Sequence, residues 1–135
     1  MMSINTRNSS HRIGIDLVET TRLEQLIVRN QQQRPEQIFT EEEWQYCQSK
    51  RFPLPSLAAR FAAKEAVMKL FPAETNSKEL AFNDIEILVD NYGAPYVKIS
   101  ANNKMEMLMK RYGYQTILIS LTHTKAMGCA TAVAQ

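Results

Sequence analysis

A helix fenced by prolines dominates this sequence. After Pro53 and Pro55, and up to Pro72, the spacing predicts a helix from about Ser56 to Phe71 that contains Ala62, Ala63 and Ala66. Such small side chains let a helix backbone lie close against a sheet, so the chain is expected to be built around this segment. Within it, Glu65 occupies a position where amphipathic patterning would put an apolar side chain. On a helix Glu65 neighbours Phe61 and Ala62 one turn back and Met68 and Lys69 one turn ahead, and Arg60 and Lys64 add positive charge on an adjoining face. A carboxylate surrounded this way can take part in holding a metal ion and anionic phosphates together, or it can simply pair with Lys69 as an ordinary helical ion pair.

A second acid stands in an apolar run. In Ile13-Gly-Ile-Asp-Leu-Val-Glu19, strand alternation puts Ile13, Ile15 and Leu17 on one face, and Gly14, Asp16 and Val18 on the other. A buried carboxylate needs a cation, a donor or water. Asp16 and Glu65 sharing one ion would form an oxygen-only donor set, which suits magnesium better than zinc. Spacing alone equally allows Asp16 to cap the following turn.

The 135 residues fit one domain with its own core, expected over residues 13–135, preceded by a polar leader from Met1 to Arg12 read as mobile. Thr20 or Thr21 caps a helix carrying Leu23, Leu26 and Ile27, which ends near the Gln31–Arg34 stretch. Thr40 and Glu43 form a capping box ahead of Trp44 and Cys47. A loop is expected from Ala73 to Lys78. Two hairpins follow: Phe82–Val89 with Ala94–Ile99 around Gly93, and Thr116–Thr122 with Met127–Val133 around His123. Between them, Met105, Leu108 and Met109 mark a helical packing stripe. The expected fold class is α+β with a mainly antiparallel sheet.

A formal charge of +2 gives no sign of a nucleic-acid partner, and no nucleic-acid motif is present. No run reaches transmembrane length, so no membrane role is expected. Cys47 and Cys129 lack metal-ligand spacing, and the N-terminus carries no secretory pattern; cytoplasm is the natural inference.

Taken in order, several fragments resemble the holo-acyl-carrier-protein synthase family, the small type of 4′-phosphopantetheinyl transferase. They are Gly14-Ile-Asp-Leu-Val-Glu19 with Arg22, Phe39-Thr-Glu-Glu-Glu43, Arg60-Phe-Ala-Ala-Lys-Glu-Ala-Val-Met-Lys69, Leu80-Ala-Phe-Asn-Asp-Ile-Glu86, Gly93-Ala-Pro95 and Ser120-Leu-Thr-His-Thr124. The resemblance implies transfer of phosphopantetheine from coenzyme A to a carrier-protein serine, with adenosine 3′,5′-bisphosphate released. It implies magnesium on Asp16 and Glu65, Lys69 beside the transferring phosphate, and Arg60, Lys64 and His123 in contact with coenzyme A. It further implies that Arg22 docks an acidic acyl-carrier protein and that the chain forms a homotrimer, with sites between subunits. Glu43 matches as well, but its capping role accounts for it. The carrier's pathway stays open among fatty-acid, polyketide and peptide synthesis.

One segment departs from the family. Phe71-Pro-Ala-Glu-Thr-Asn-Ser-Lys78 stands where relatives carry a Gly-Thr-Gly-like loop, and it contains no glycine to bring backbone close to phosphate. That departure keeps a second reading in view, a non-catalytic paralogue that binds coenzyme A or a carrier protein.

Overall fold

A computed structural model describes residues 12–29, 35–99 and 103–135. In chain order its elements are β1 (Arg12–Glu19), α1 (Thr20–Arg29), α2 (Pro35–Ile38), α3 (Glu41–Gln48), α4 (Pro53–Met68), α5 (Ala73–Lys78), a 3₁₀ turn (Phe82–Asp84), β2 (Glu86–Val89), β3 (Pro95–Lys98), α6 (Lys104–Tyr112), β4 (Ile117–His123) and β5 (Met127–Ala134). The expected leader falls on residues outside those described, apart from Arg12, which opens β1; the Gln31–Arg34 stretch also lies outside them.

The strands form an antiparallel sheet in the order β1-β5-β4 and a separate β2-β3 hairpin, giving an α+β fold. Register sets Asp16 opposite Ala130, which in turn faces Leu121, so one row crosses all three strands. The proline-fenced helix α4 lies across this sheet with Ala58, Ala59, Ala62, Ala63 and Ala66 all buried. Two glycines permit the close approach. A Cβ on Gly14 would overlap the Ala66 carbonyl, and one on Gly128 would overlap the Ala58–Ala59 backbone. Alanines on the helix and glycines on the strands are thus two halves of one contact.

Helix α4 starts at Pro53, ahead of the expected Ser56, and gives way to turns after Met68, before the expected Phe71. The early start has a simple cause: Pro53 and Pro55 sit in the first turn, where the amide donors they lack would have no intrahelical acceptor. The expected loop at Ala73–Lys78 is instead helix α5, starting directly after Pro72. In the first predicted hairpin, Phe82–Asp84 makes a 3₁₀ turn rather than strand, with Asp84 accepting a hydrogen bond from the Ala81 amide at 2.8 Å.

Locally encoded features occur where expected. Thr40 and Glu43 close their capping box, and Gly93 takes a φ of 83° in the β2-β3 turn; beyond those expectations, Gly113 ends α6 with a φ of 74°. Met105, Leu108 and Met109 are buried in a core shared with Leu23, Phe39, Phe61 and Ile87. The other face of the sheet is bare: Ile13, Ile15 and Leu17 of β1 are 74%, 58% and 54% exposed, and Leu118 of β4 is 57% exposed.

Candidate functional site

The two acids singled out in the sequence do meet. Asp16 projects from β1 on the side facing α4, and α4 passes directly above through Ala66, next to Glu65. Asp16 Oδ1 accepts a hydrogen bond from Lys69 Nζ at 3.2 Å, and the same ammonium donates to the Ile15 carbonyl at 2.8 Å. Lys69 therefore pairs with Asp16, whereas spacing alone also allows a bond to Glu65 four residues back. With both carboxyls ionised, Asp16 Oδ2 is buried with no donor among the described residues. Burial, then hydrogen bonding and charge from Asp16, push the Glu65 pKa up to about 7, with Arg22 and Lys69 pulling the other way. Two carboxyls in this relation repel when both are ionised, and a proton or a cation between them relieves the repulsion. Among the described residues no group of three or more His, Cys, Asp and Glu gathers as a metal site, so the donors here are two carboxylates and whatever solvent or substrate oxygens join them.

A second feature occupies the opposite flank of α4. Arg60, Lys50, Arg51, His123, Tyr46 and Phe52 line part of a cavity of about 440 Å³. None of the described residues lining it is acidic. Arg60 is 7% exposed; its Nη1 donates to the Ser56 carbonyl at 3.2 Å and to Ser56 Oγ at 2.9 Å, while its Nε is buried with no acceptor among the described residues. The Arg60 guanidinium and the Lys50 ammonium each lie 4.5 Å from the centre of the Tyr46 ring. Arg51 and Lys125 stand over Phe52 at 5.3 and 5.6 Å. Cations crowded around an acid-free cavity suit a multiply charged anion. His123 reaches this cavity from the last residue of β4.

Lys64 requires a correction. It is fully buried, and its ammonium donates to Glu43 Oε1 at 2.7 Å, the Phe82 carbonyl at 3.0 Å and the Ile85 carbonyl at 2.6 Å, which uses all three donors. It cannot also bind a nucleotide phosphate. One helical turn beyond Arg60, α4 passes beneath the 3₁₀ turn, and that covering closes Lys64 off. Glu43, read from sequence as a cap alone, is this lysine's counterion. Its Oε1 also closes the capping box at 2.8 Å, and its Oε2 accepts from the Ile87 amide at 2.9 Å. Burial pulls the Lys64 pKa down and Glu43 opposes that pull.

Lys50 and Arg51 are legible in the sequence only as members of a basic stretch. The signal that sets them apart is their alternation with aromatics, Tyr46 before them and Phe52 after. Arg22 is exposed on α1, close enough for its charge to act on Glu65.

Comparison with known proteins adds a consistent picture. Residues 12–127 match the family model described as the 4′-phosphopantetheinyl transferase superfamily. A holo-[acyl-carrier-protein] synthase of Ruminiclostridium cellulolyticum is 39% identical over 122 residues, spanning 90% of this chain and 89% of the relative. That of Moorella thermoacetica is 37% identical over 122 residues, spanning 90% and 91%. The crystal structure of Helicobacter pylori holo-[acyl-carrier-protein] synthase in complex with coenzyme A superposes with a TM-score of 0.72 at 27% identity, covering 92% of this chain and all of that one.

Proposed function

The chain belongs to the 4′-phosphopantetheinyl transferase superfamily, and from that membership and its paired carboxylates we propose that it transfers 4′-phosphopantetheine from coenzyme A to a serine of an apo acyl-carrier protein. The carrying observation is the orphaned, buried Asp16 Oδ2 beside a Glu65 whose pKa is pushed up to about 7. Such a pair is deficient in positive charge. Its all-oxygen donors fit a magnesium ion, which when bound supplies charge against the pyrophosphate oxygens of coenzyme A.

This chain's own side chains account for the rest. The serine oxygen attacks the phosphorus bearing the pantetheine arm, and the bond to the bridging pyrophosphate oxygen breaks, releasing adenosine 3′,5′-bisphosphate. Glu65 takes the serine proton as the general base of the pair. Lys69 has two of its donors on Ile15 and Asp16, and the third serves the charge that develops on the leaving phosphate. The cation-lined cavity takes the bisphosphate end of coenzyme A through Arg60, Lys50, Arg51 and His123.

These two halves do not face one another within one chain. Arg60 and Glu65 are separated by roughly 140° around α4. Asp16 and His123 belong to β1 and β4, the two outer strands of the three-stranded sheet. We therefore read the working site as shared between copies, the carboxylates of one beside the anion cavity of the next. A head-to-tail contact of this kind closes into a ring, and the family resemblance makes that ring a trimer. The bare sheet face, with Ile13, Ile15, Leu17 and Leu118, gives the copies apolar surface to bury. Arg22, exposed on α1 within electrostatic reach of Glu65, receives the acidic carrier. Coenzyme A chemistry and two free cysteines suit the cytoplasm.

Two measurements test this reading. Adenosine 3′,5′-bisphosphate should appear in step with holo-carrier and cease when a chelator removes magnesium; release without carrier modification would contradict transfer. Light scattering should give a trimer for the wild type, and Leu17→Glu should yield inactive monomers. A fully active monomer would contradict the shared site.

A further inference from the structure

We infer that Tyr46 and Ser56 are positioning residues, which together hold the Arg60 guanidinium and the Lys50 ammonium as a preset clamp for a phosphate dianion. This rests on the reading of the cation-lined cavity as the bisphosphate end of the coenzyme A site.

The geometry around Arg60 carries the inference. An arginine side chain is rotamer-rich, and ordering it on ligand arrival weakens binding. Here it is already ordered. Ser56, one turn earlier on α4, accepts Nη1 through both its carbonyl and its hydroxyl oxygen. That hydroxyl has one proton, and it goes to Cys47 Sγ at 3.4 Å, which leaves the oxygen lone pairs to Arg60. Cys47 is buried on α3, and burial pushes its pKa up, so it stays a neutral partner. α3 therefore orients the Ser56 hydroxyl, and Ser56 orients Arg60.

Tyr46 solves a different problem. Two cations converging on one cavity repel each other before any ligand arrives. With both 4.5 Å from the centre of the Tyr46 ring, each is drawn to the electron-rich ring, which offsets that repulsion. The residual cost lies at Arg60 Nε, buried with no acceptor among the described residues.

The test is calorimetric titration with adenosine 3′,5′-bisphosphate, alongside steady-state kinetics in coenzyme A, for Ser56→Ala, Tyr46→Leu and Tyr46→Phe. The folded fraction of each variant is read from the titration stoichiometry, so that Kd refers to folded protein. Ser56→Ala and Tyr46→Leu should each raise both Kd and KM about tenfold, the scale of one lost charge-assisted contact, with kcat little changed. Tyr46→Phe keeps the ring and should match the wild type. Unchanged Kd in Ser56→Ala and Tyr46→Leu, or a loss confined to kcat, would overturn the positioning role. If the wild type itself fails to bind the bisphosphate, the reading of the cavity falls first and the clamp with it.

Discussion

Replacing Glu65 by glutamine should stabilise the metal-free protein while silencing it. The Glu65 pKa stands at about 7 in the folded chain against an ordinary 4.5. At about 1.4 kcal/mol per pKa unit that difference is ~3 kcal/mol for a sealed site; Glu65 is only half-buried, so solvent screening reduces it to ~1–2 kcal/mol. Below pH 4.5 the carboxyl is protonated in folded and unfolded chains alike and carries no penalty. Between 4.5 and about 7 the folded chain retains a proton that the unfolded chain has released, so stability falls as pH rises, and above about 7 the penalty is complete. Glutamine stays neutral throughout. Urea denaturation in chelator should therefore find Glu65→Gln more stable than wild type by ~1–2 kcal/mol near pH 8, with little difference near pH 5. Added magnesium should raise the stability of the wild type near pH 8 and leave the variant nearly unmoved. A gap that does not vary with pH, or a variant less stable than wild type in chelator near pH 8, would refute the strained carboxylate pair.

Three further outcomes are expected. Asp16→Ala and Glu65→Ala should each abolish most transfer, and the double variant should lose far less than the two effects combined, as measured by single-turnover rates. Lys64→Met leaves Glu43 buried without its counterion and should cost about 3–5 kcal/mol in denaturant unfolding, far more than Lys69→Met, whose ammonium is half exposed. Arg22→Glu should raise KM for the carrier and flatten its dependence on salt while leaving coenzyme A binding unchanged; equal loss of both would point to damage in the shared fold.

Features set by a few neighbouring residues are legible in the amino-acid sequence. The Thr40–Glu43 box and the Gly93 turn each depend on chemistry within about four residues. Asp16 and Glu65 stand out because each interrupts an apolar pattern, and the fold does bring them together. What the sequence hides depends on cover. Alternation in β1 separates Ile13, Ile15 and Leu17 from Gly14, Asp16 and Val18, yet only tertiary packing decides that α4 covers the second set and leaves the aliphatic row bare. Arg60 and Lys64 share a stripe on α4, but the 3₁₀ turn roofs one and leaves the other at a cavity. The helix at Ala73–Lys78 is hidden because Pro72 and a run of small polar residues read as loop, although a proline just ahead of a helix offers no obstacle.

The most direct measurement is the intact mass of apo acyl-carrier protein after incubation with this chain, coenzyme A and magnesium. The carrier should gain the mass of one 4′-phosphopantetheine, localised to a single serine, and Asp16→Ala and Glu65→Ala should leave it unmodified. An unmodified carrier with the wild type, across carriers of fatty-acid, polyketide and peptide synthesis, or a carrier still fully modified by both variants, would contradict transfer at the Asp16 and Glu65 site.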